Sequence, residues 1–123
     1  MGRAPARGDI WIVDFSPARG SEQAGKRPAL VVQNDVGNRN ERYPNTIVLA
    51  MSTKSKPVPF HIMVMPNRAT GLREVTYIKA EQVLTISKTR LLGGRPIGRI
   101  TPEQIRKVEV ALLLSLGVGS SSS

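Results

Sequence analysis

An arginine placed directly after a polar loop is the residue of this sequence with the clearest chemical potential. Arg27 stands between a loop bounded by Gly20 and Gly25 and the apolar run Pro28–Gln33, which is typical of a strand buried on both faces. Such a strand fixes the base of the side chain, and the planar guanidinium carries a fork of donors that matches a phosphate group. Spacing alone favours a simpler alternative, in which Arg27 pairs with a surface carboxylate.

A pair of hydroxyl residues, Ser52 and Thr53, follows a second apolar segment, Thr46–Met51. A hydroxyl at the end of a strand can donate a hydrogen bond to a non-bridging phosphate oxygen. A Ser-Thr pair in this position more commonly forms a turn, because these side chains hydrogen-bond to nearby backbone. Residue type alone leaves both interpretations open for Thr53.

The other reactive side chains are few, which excludes several kinds of site. Splitting a phosphodiester with an internal hydroxyl needs a base, a group that stabilises the charged phosphorane, and an acid. His61 is the single histidine, so two histidines cannot share these roles within one chain, and no cysteine is present for a thiolate zinc site. The nine acidic residues lack the spacing of a metal cluster. We therefore expect no metal or other cofactor, and Arg27 as the electrophilic group.

The charge of the chain indicates the kind of partner. Eighteen Lys and Arg residues oppose nine Asp and Glu, giving a formal net charge of +9. This excess favours a polyanion, nucleic acid before an anionic membrane, although a solvated basic surface is the plain alternative. The apolar run Val108–Val118 is too short to span a bilayer. The absence of cysteine and of a signal-peptide pattern in Met1–Gly8 fits a cytoplasmic protein.

A single domain is expected from 123 residues. We predict a mobile basic arm over residues 1–8, one domain over residues 9–118 and a flexible tail over residues 119–123. Short strands followed by one helix indicate a small, curved antiparallel sheet or barrel. The predicted strands are Asp9–Phe15, Pro28–Asn34, Thr46–Met51, His61–Met65, Val75–Ile78, Val83–Ser87 and Arg95–Ile100.

The one long helix has clear start and stop signals. Thr101 is a suitable N-cap, Pro102 suits the first helical position, and Gln104 completes a Thr-x-x-Gln capping box. Gly117 is a suitable stop. The polar segment Asp35–Asn45 is predicted to be irregular, with at most one helical turn.

Several motifs together carry a family resemblance. Gly20–Gln23 reads Gly-Ser-Glu-Gln, Arg27-Pro28 follows it, and Gln33–Asn38 reads Gln-Asn-Asp-Val-Gly-Asn. With Ser52-Thr53, Glu81-Gln82 and the last helix, this pattern resembles the MazF/PemK family of toxin endoribonucleases over most of the chain. The resemblance implies a mainly β fold with α, an SH3-like small β-barrel with a C-terminal helix, assembled as a homodimer. It also implies sequence-specific, metal-independent cleavage of single-stranded RNA and a cognate MazE-like antitoxin.

The resemblance also implies roles for individual residues. Arg27 and Thr53 match the positions of the family's catalytic residues, and the loop before Arg27 matches one that covers bound RNA. We add basic residues that can contact phosphates, and polar residues that can read unpaired bases. The expected RNA-binding residues are Ser21, Glu22, Gln23, Asn34, Asn38, Lys54, Lys56, His61, Lys79 and Gln82.

Two other functions stay open at this point. One is a toxin of the same fold that poisons DNA gyrase, and the other is an inactive paralogue that binds RNA or antitoxin. Gyrase poisons of this fold lack the Arg-Pro and Thr pair, which argues against the first. One departure from the family is Leu84, where some relatives carry Arg.

Overall fold

Alternating apolar and polar residues produce one antiparallel sheet flanked by a C-terminal helix. A computed structural model describes residues 2–16 and 25–119. In chain order its elements are β1 (Asp9–Asp14), β2 (Lys26–Val31), α1 (Asp35–Arg39), β3 (Asn45–Ser52), β4 (His61–Val64), β5 (Thr76–Ser87), a 3₁₀ turn (Lys88–Arg90), β6 (Gly98–Arg99) and α2 (Pro102–Leu116). The strands are ordered β4-β5-β3-β2-β1-β6, and every pair is antiparallel. The predicted mainly β fold with one C-terminal helix is confirmed.

The strands bury side chains on both faces of this sheet. Ile10, Leu30 and Leu49 are opposite one another on β1, β2 and β3, and α2 covers their face with Val108 and Ala111. The other face carries a second buried cluster of Trp11, Val13, Phe15, Ala29, Val31, Val48 and Ile86. Because side chains alternate between faces along a strand, this two-sided burial explains why β2 and β3 are almost continuously apolar.

The two edges of the sheet meet through the loop that follows β4. The Arg99 N–H of β6 donates to the Ala69 carbonyl at 2.9 Å. A β-carbon on Gly98 would lie 2.2 Å from the carbonyl carbon and oxygen of Thr70, and one on Gly71 would lie 2.0 Å from the Ile97 carbonyl oxygen. Only hydrogen fits at both positions, so the two backbones pack directly and curl the sheet towards a barrel.

Some strand boundaries differ from the sequence prediction. The segments predicted at Val75–Ile78 and Val83–Ser87 form the single strand β5, which passes through a bulge: Leu49 of β3 pairs with Val83, whereas Met51 pairs with Ile78. A bulge inserts unpaired residues without ending the strand. The segment predicted at Arg95–Ile100 shortens to β6, because Pro96 has no N–H to donate.

The residues before β1, which the sequence predicts to be a mobile arm, make specific contacts with β1, α1 and α2. The Arg7 N–H donates to Asp35 at 2.8 Å, and the Arg7 guanidinium contacts Glu109 of α2 at 2.7 Å. Arg3 lies 3.7 Å from the fully buried carboxylate of Asp9. Burial raises the pKa of Asp35, but bonds from Arg7 and Asn38 and nearby positive charge outweigh it, so the pKa lies below its ordinary value.

Both ends of α2 follow the sequence prediction. Thr101 accepts the Gln104 N–H, and the Gln104 side chain accepts the Thr101 N–H, which completes the capping box. Gly117 ends the helix with a φ of 73°, a left-handed conformation that glycine adopts at low cost. These signals are local, so they can be read without knowing the tertiary structure.

We predict that Gly98→Ala destabilises the protein by about 1–3 kcal/mol or more, because the added methyl overlaps backbone atoms that cannot rotate away. Denaturant unfolding followed by circular dichroism measures this change. Gly119→Ala is the control: no atom lies within 4 Å of the added carbon, so any cost there comes from its φ of 77° and not from an overlap. Equal stability of Gly98→Ala and the wild type would show that the sheet edges are not in direct contact.

Candidate active site

The pairing of β2 with β3 brings Arg27 and Thr53 to the same end of the sheet. Ala29 is opposite Ala50, and Val31 is opposite Val48. Continuing this antiparallel register places Arg27 beside Ser52, with Thr53 next along the chain. The two predicted catalytic residues, which are far apart in sequence, therefore become neighbours through the hydrogen-bond register.

Arg27 and Thr53 line one cleft of about 430 Å³. Ser52 and Pro28 lie on their side, and the segment 71–74 forms the opposite wall. The apolar part of the lining comes from Ile12, Met51, Leu72 and Ile97. A guanidinium and a hydroxyl at the mouth of such a cleft suit a phosphate group, since both can donate hydrogen bonds to its oxygens.

The two hydroxyl residues of the cleft have different surroundings. Ser52 is half-buried, and its Oγ accepts the Lys54 N–H at 3.1 Å, so it shapes the turn after β3. Thr53 is exposed beside it. This geometry favours Thr53 over Ser52 as the hydroxyl that meets a ligand.

The opposite wall adds two charged residues that the sequence analysis missed. Arg73 and Glu74 are exposed and line the cleft across from Arg27. They sit in a loop fixed by Thr70, whose Oγ1 donates to the Met65 carbonyl at 3.0 Å. No local motif marks these residues; only the packing of this loop against β6 places them at the cleft.

The two asparagines predicted to bind RNA are not among the residues that line this cleft, and both make hydrogen bonds around α1. They follow the end of β2 opposite to Arg27. Asn34 caps α1 by accepting the Gly37 N–H at 2.9 Å. Asn38 is 1% exposed; its Oδ1 accepts bonds from Gln33 and Thr46, and its Nδ2 donates to the Gln33 carbonyl and to Asp35. The Gln-Asn-Asp-Val-Gly-Asn string thus builds a turn.

The His61 side chain and Lys79 are largely buried. Only 2% of the His61 side chain is exposed, and both ring nitrogens already have partners, Lys56 N–H and Glu81. Lys79, its neighbour on β5, is 9% exposed. That these two residues contact RNA stays a prediction.

The remaining predicted RNA contacts fall into three groups. Lys54 and Lys56 are exposed on the loop that begins at Thr53, in keeping with a phosphate contact. Gln82 is half-buried on β5 beside the bulge. Ser21, Glu22 and Gln23 lie outside the described residues.

Within residues 2–16 and 25–119, no group of three or more His, Cys, Asp or Glu side chains could hold a metal ion. No helix in this part of the chain is long and apolar enough to cross a membrane. The charged and hydroxyl side chains that line the cleft are those of Arg27, Ser52, Thr53, Arg73, Glu74 and Thr76.

We predict that Asn38→Ala lowers the free energy of unfolding by about 1–3 kcal/mol for each buried partner left unsatisfied. RNA affinity, measured where the variant stays folded, should remain within about twofold of wild type. Asn40→Ala is the exposed control, expected to change stability by less than about 0.5 kcal/mol. Loss of RNA affinity without loss of stability would restore Asn38 as a ligand.

Comparison with known proteins shows similarity along almost the whole chain. Residues 6–116 match a family model described as PemK-like, MazF-like toxin of type II toxin-antitoxin system. The endoribonuclease MazF9 of Mycobacterium tuberculosis is 41% identical over 118 residues, covering 93% of this chain and 98% of the relative. Endoribonuclease EndoA of Bacillus subtilis is 40% identical over 114 residues, covering 91% and 94%.

Solved structures show the same fold. A mycobacterial endoribonuclease in complex with its cognate antitoxin superposes with a TM-score of 0.75 at 26% identity, over 95% of this chain and 99% of that one. MazF from Deinococcus radiodurans has a TM-score of 0.75 at 22% identity, over 94% and 99%. The chain therefore belongs to the PemK-like, MazF-like family of toxins of type II toxin–antitoxin systems.

Proposed function

We propose that this toxin is a sequence-specific, metal-independent endoribonuclease that cleaves single-stranded RNA in the cleft between Arg27 and the segment 71–74. The observation that carries the proposal is that Arg27 and Thr53 line one cleft. The two curated relatives, each about two-fifths identical, are named endoribonucleases. The geometry of the cleft and the names of the relatives thus independently support cleavage of RNA.

The attacking group in this mechanism is the ribose 2′-hydroxyl next to the scissile phosphate. Its oxygen bonds to phosphorus as the bond to the 5′-oxygen breaks, which leaves a 2′,3′-cyclic phosphate and a 5′-hydroxyl. The 2′-hydroxyl loses one proton and the leaving oxygen gains one, and Arg27 assists this transfer. Arg27 and Thr53 donate hydrogen bonds to the phosphorane oxygens, where negative charge develops.

Charge near the cleft supports binding of the RNA backbone. Lys54 and Lys56 are exposed on the loop after Thr53, and Arg73 stands on the opposite wall. Cations on both sides of a groove attract successive phosphates and raise the local concentration of RNA. These residues supply affinity, whereas Arg27 and Thr53 act on the scissile phosphate.

The family also indicates the partners of this chain. We propose that a cognate MazE-like antitoxin neutralises it by placing an acidic segment over the basic cleft, and that the toxin acts on mRNA in the cytoplasm. We further propose a homodimer. Exposed apolar side chains along the second half of α2 supply a surface that a second copy can cover; they are Val110, Leu113, Leu114 and Leu116.

A gyrase poison of the same fold is the second candidate. The intact pair of Arg27 and Thr53 at one cleft favours the nuclease, because gyrase binding requires neither residue. A supercoiling assay with purified toxin separates the two functions. Inhibition of gyrase without RNA cleavage would reverse the preference, and binding of RNA without cleavage would identify an inactive paralogue.

We predict that Arg27→Ala lowers the cleavage rate by about 10²–10³, since a donor aimed at developing negative charge is lost. Thr53→Ala should be similarly impaired, while Thr53→Ser should retain part of the activity because it keeps the hydroxyl. Cleavage of a long RNA by purified variants with unchanged circular dichroism measures this. Near-wild-type cleavage by Arg27→Ala would refute the assignment, and equal loss in both Thr53 variants would indicate a packing role.

We predict that cleavage persists in excess chelator and stops when the 2′-hydroxyl 5′ to the scissile bond is replaced by hydrogen. Binding of the deoxy-substituted RNA should remain. Mass spectrometry of the upstream fragment from unmodified RNA should show a 2′,3′-cyclic phosphate. Efficient cutting of the substituted site would mean that water or a side chain is the nucleophile.

A further inference from the structure

His61 takes part in a hydrogen-bond chain that the proposed reaction does not use. Its Nδ1 accepts the Lys56 backbone N–H at 3.2 Å, and its Nε2 lies 2.8 and 3.0 Å from the carboxylate oxygens of Glu81. A backbone N–H can only donate, so Nδ1 has no proton in this arrangement. Nε2 therefore carries the proton and donates a hydrogen bond to Glu81. The two contacts together select the tautomer of the neutral ring that has its proton on Nε2.

The surroundings of His61 hold the ring in this orientation. His61 is paired with Lys79 in the register of β4 and β5, which fixes its backbone. The Phe60 ring packs edge-on at a centroid distance of 5.9 Å, and the Phe60 carbonyl accepts the Ala80 N–H at 3.0 Å. With only 2% of its side chain exposed, the imidazole has no room to turn.

The partner of Nδ1 lies in the middle of the loop formed by residues 53–60, which joins β3 to β4. Other bonds near Lys56 are local: the Lys54 N–H donates to Ser52, and the Val58 N–H donates to the Lys56 carbonyl. Only at the end of the loop does the Phe60 carbonyl bond to Ala80 of β5, among the bonds of the described residues. Local bonds set the curvature of a loop but do not anchor it. His61 provides an anchor, because it connects Lys56 to β4 and, through Glu81, to β5.

We propose that His61 is a positioning residue that holds the 53–60 loop against β5. By accepting the Lys56 N–H, its neutral Nδ1 fixes the loop and so keeps Thr53 in place at the cleft. The same bond holds the exposed residues Lys54 and Lys56 in position. The proposal rests on the endoribonuclease function assigned to Thr53. Its contribution to cleavage comes through Thr53, with no contact to RNA.

The first test examines the hydrogen bonds without any RNA. In ¹⁵N-histidine-labelled protein, the nitrogen shifts of the single histidine should show a proton on Nε2 and none on Nδ1. Amide hydrogen exchange at Lys56 should be slow in the wild type and at least about tenfold faster in His61→Ala. A proton on Nδ1, or unchanged exchange in the variant, would overturn the proposal whether or not the protein cleaves RNA.

The second test uses two substitutions that each keep half of the arrangement. The Asn amide oxygen can occupy the place of Nδ1 and accept the Lys56 N–H, whereas the Gln amide nitrogen can occupy the place of Nε2 and donate to Glu81. We expect His61→Ala to lower kcat by about tenfold to a hundredfold, measured at a temperature at which circular dichroism shows the variant to be folded. His61→Asn should recover most of the loss and His61→Gln little of it. Recovery by Gln but not Asn would overturn the proposal.

A double-mutant cycle shows whether His61 acts through Thr53. If it does, His61→Ala adds little further loss of kcat to Thr53→Ala, because the group being positioned is already absent. Arg27→Lys is the matched background, since Arg27 lies in β2 and outside the loop. In the Arg27→Lys background, His61→Ala should lower kcat by the same factor as it does in the wild type. Equal losses in both backgrounds would show that His61 does not work through Thr53.

Discussion

The direct packing of Thr70-Gly71 against Ile97-Gly98 is the contact on which both the barrel and the cleft depend. It joins the loop after β4 to β6, at opposite edges of the sheet, with no room for a β-carbon on either glycine. The same loop continues into residues 71–74, the wall that faces Arg27. The loop that closes the sheet is therefore the same loop that lines the second side of the cleft, so a change in its packing against β6 should alter both.

The sequence predicted those features whose signals are local. The caps of α2 and the two-sided burial of β2 were readable from short motifs. The family resemblance supplied the barrel and the roles of Arg27 and Thr53, and those roles stay a prediction. Arg73 and Glu74 were missed because their place at the cleft depends on the loop packing against β6. That the asparagine motif contacts RNA stays a prediction. The hydrogen bonds that Gln33 and Thr46 make with Asn38 could not be foreseen, because they depend on how β3 packs beside α1.

His61 illustrates why residue type is a poor guide to role. A lone histidine beside basic residues resembles a proton carrier or an RNA contact, yet burial and two opposed partners turn its ring into a connector between a backbone N–H and a carboxylate. The bulge in β5 lies next to this arrangement and separates the pairing of Ile78 from that of Val83. Irregular backbone thus occurs where the sheet supports the catalytic loop.

The buried carboxylate of Asp9 has a consequence for how the chain matures during synthesis. Its oxygen Oδ1 lies near two arginines, Arg3 before β1 and Arg99 in β6. The N–H of Ala6 donates a hydrogen bond to its other oxygen, Oδ2. Strand β1 cannot complete its pairing, and Asp9 cannot gain Arg99 as a neighbour, until β6 has left the ribosome. Contacts of such long sequence separation form late. A nascent chain therefore has no finished cleft, and a cell translating this toxin meets an active nuclease only when nearly the whole polypeptide has been made.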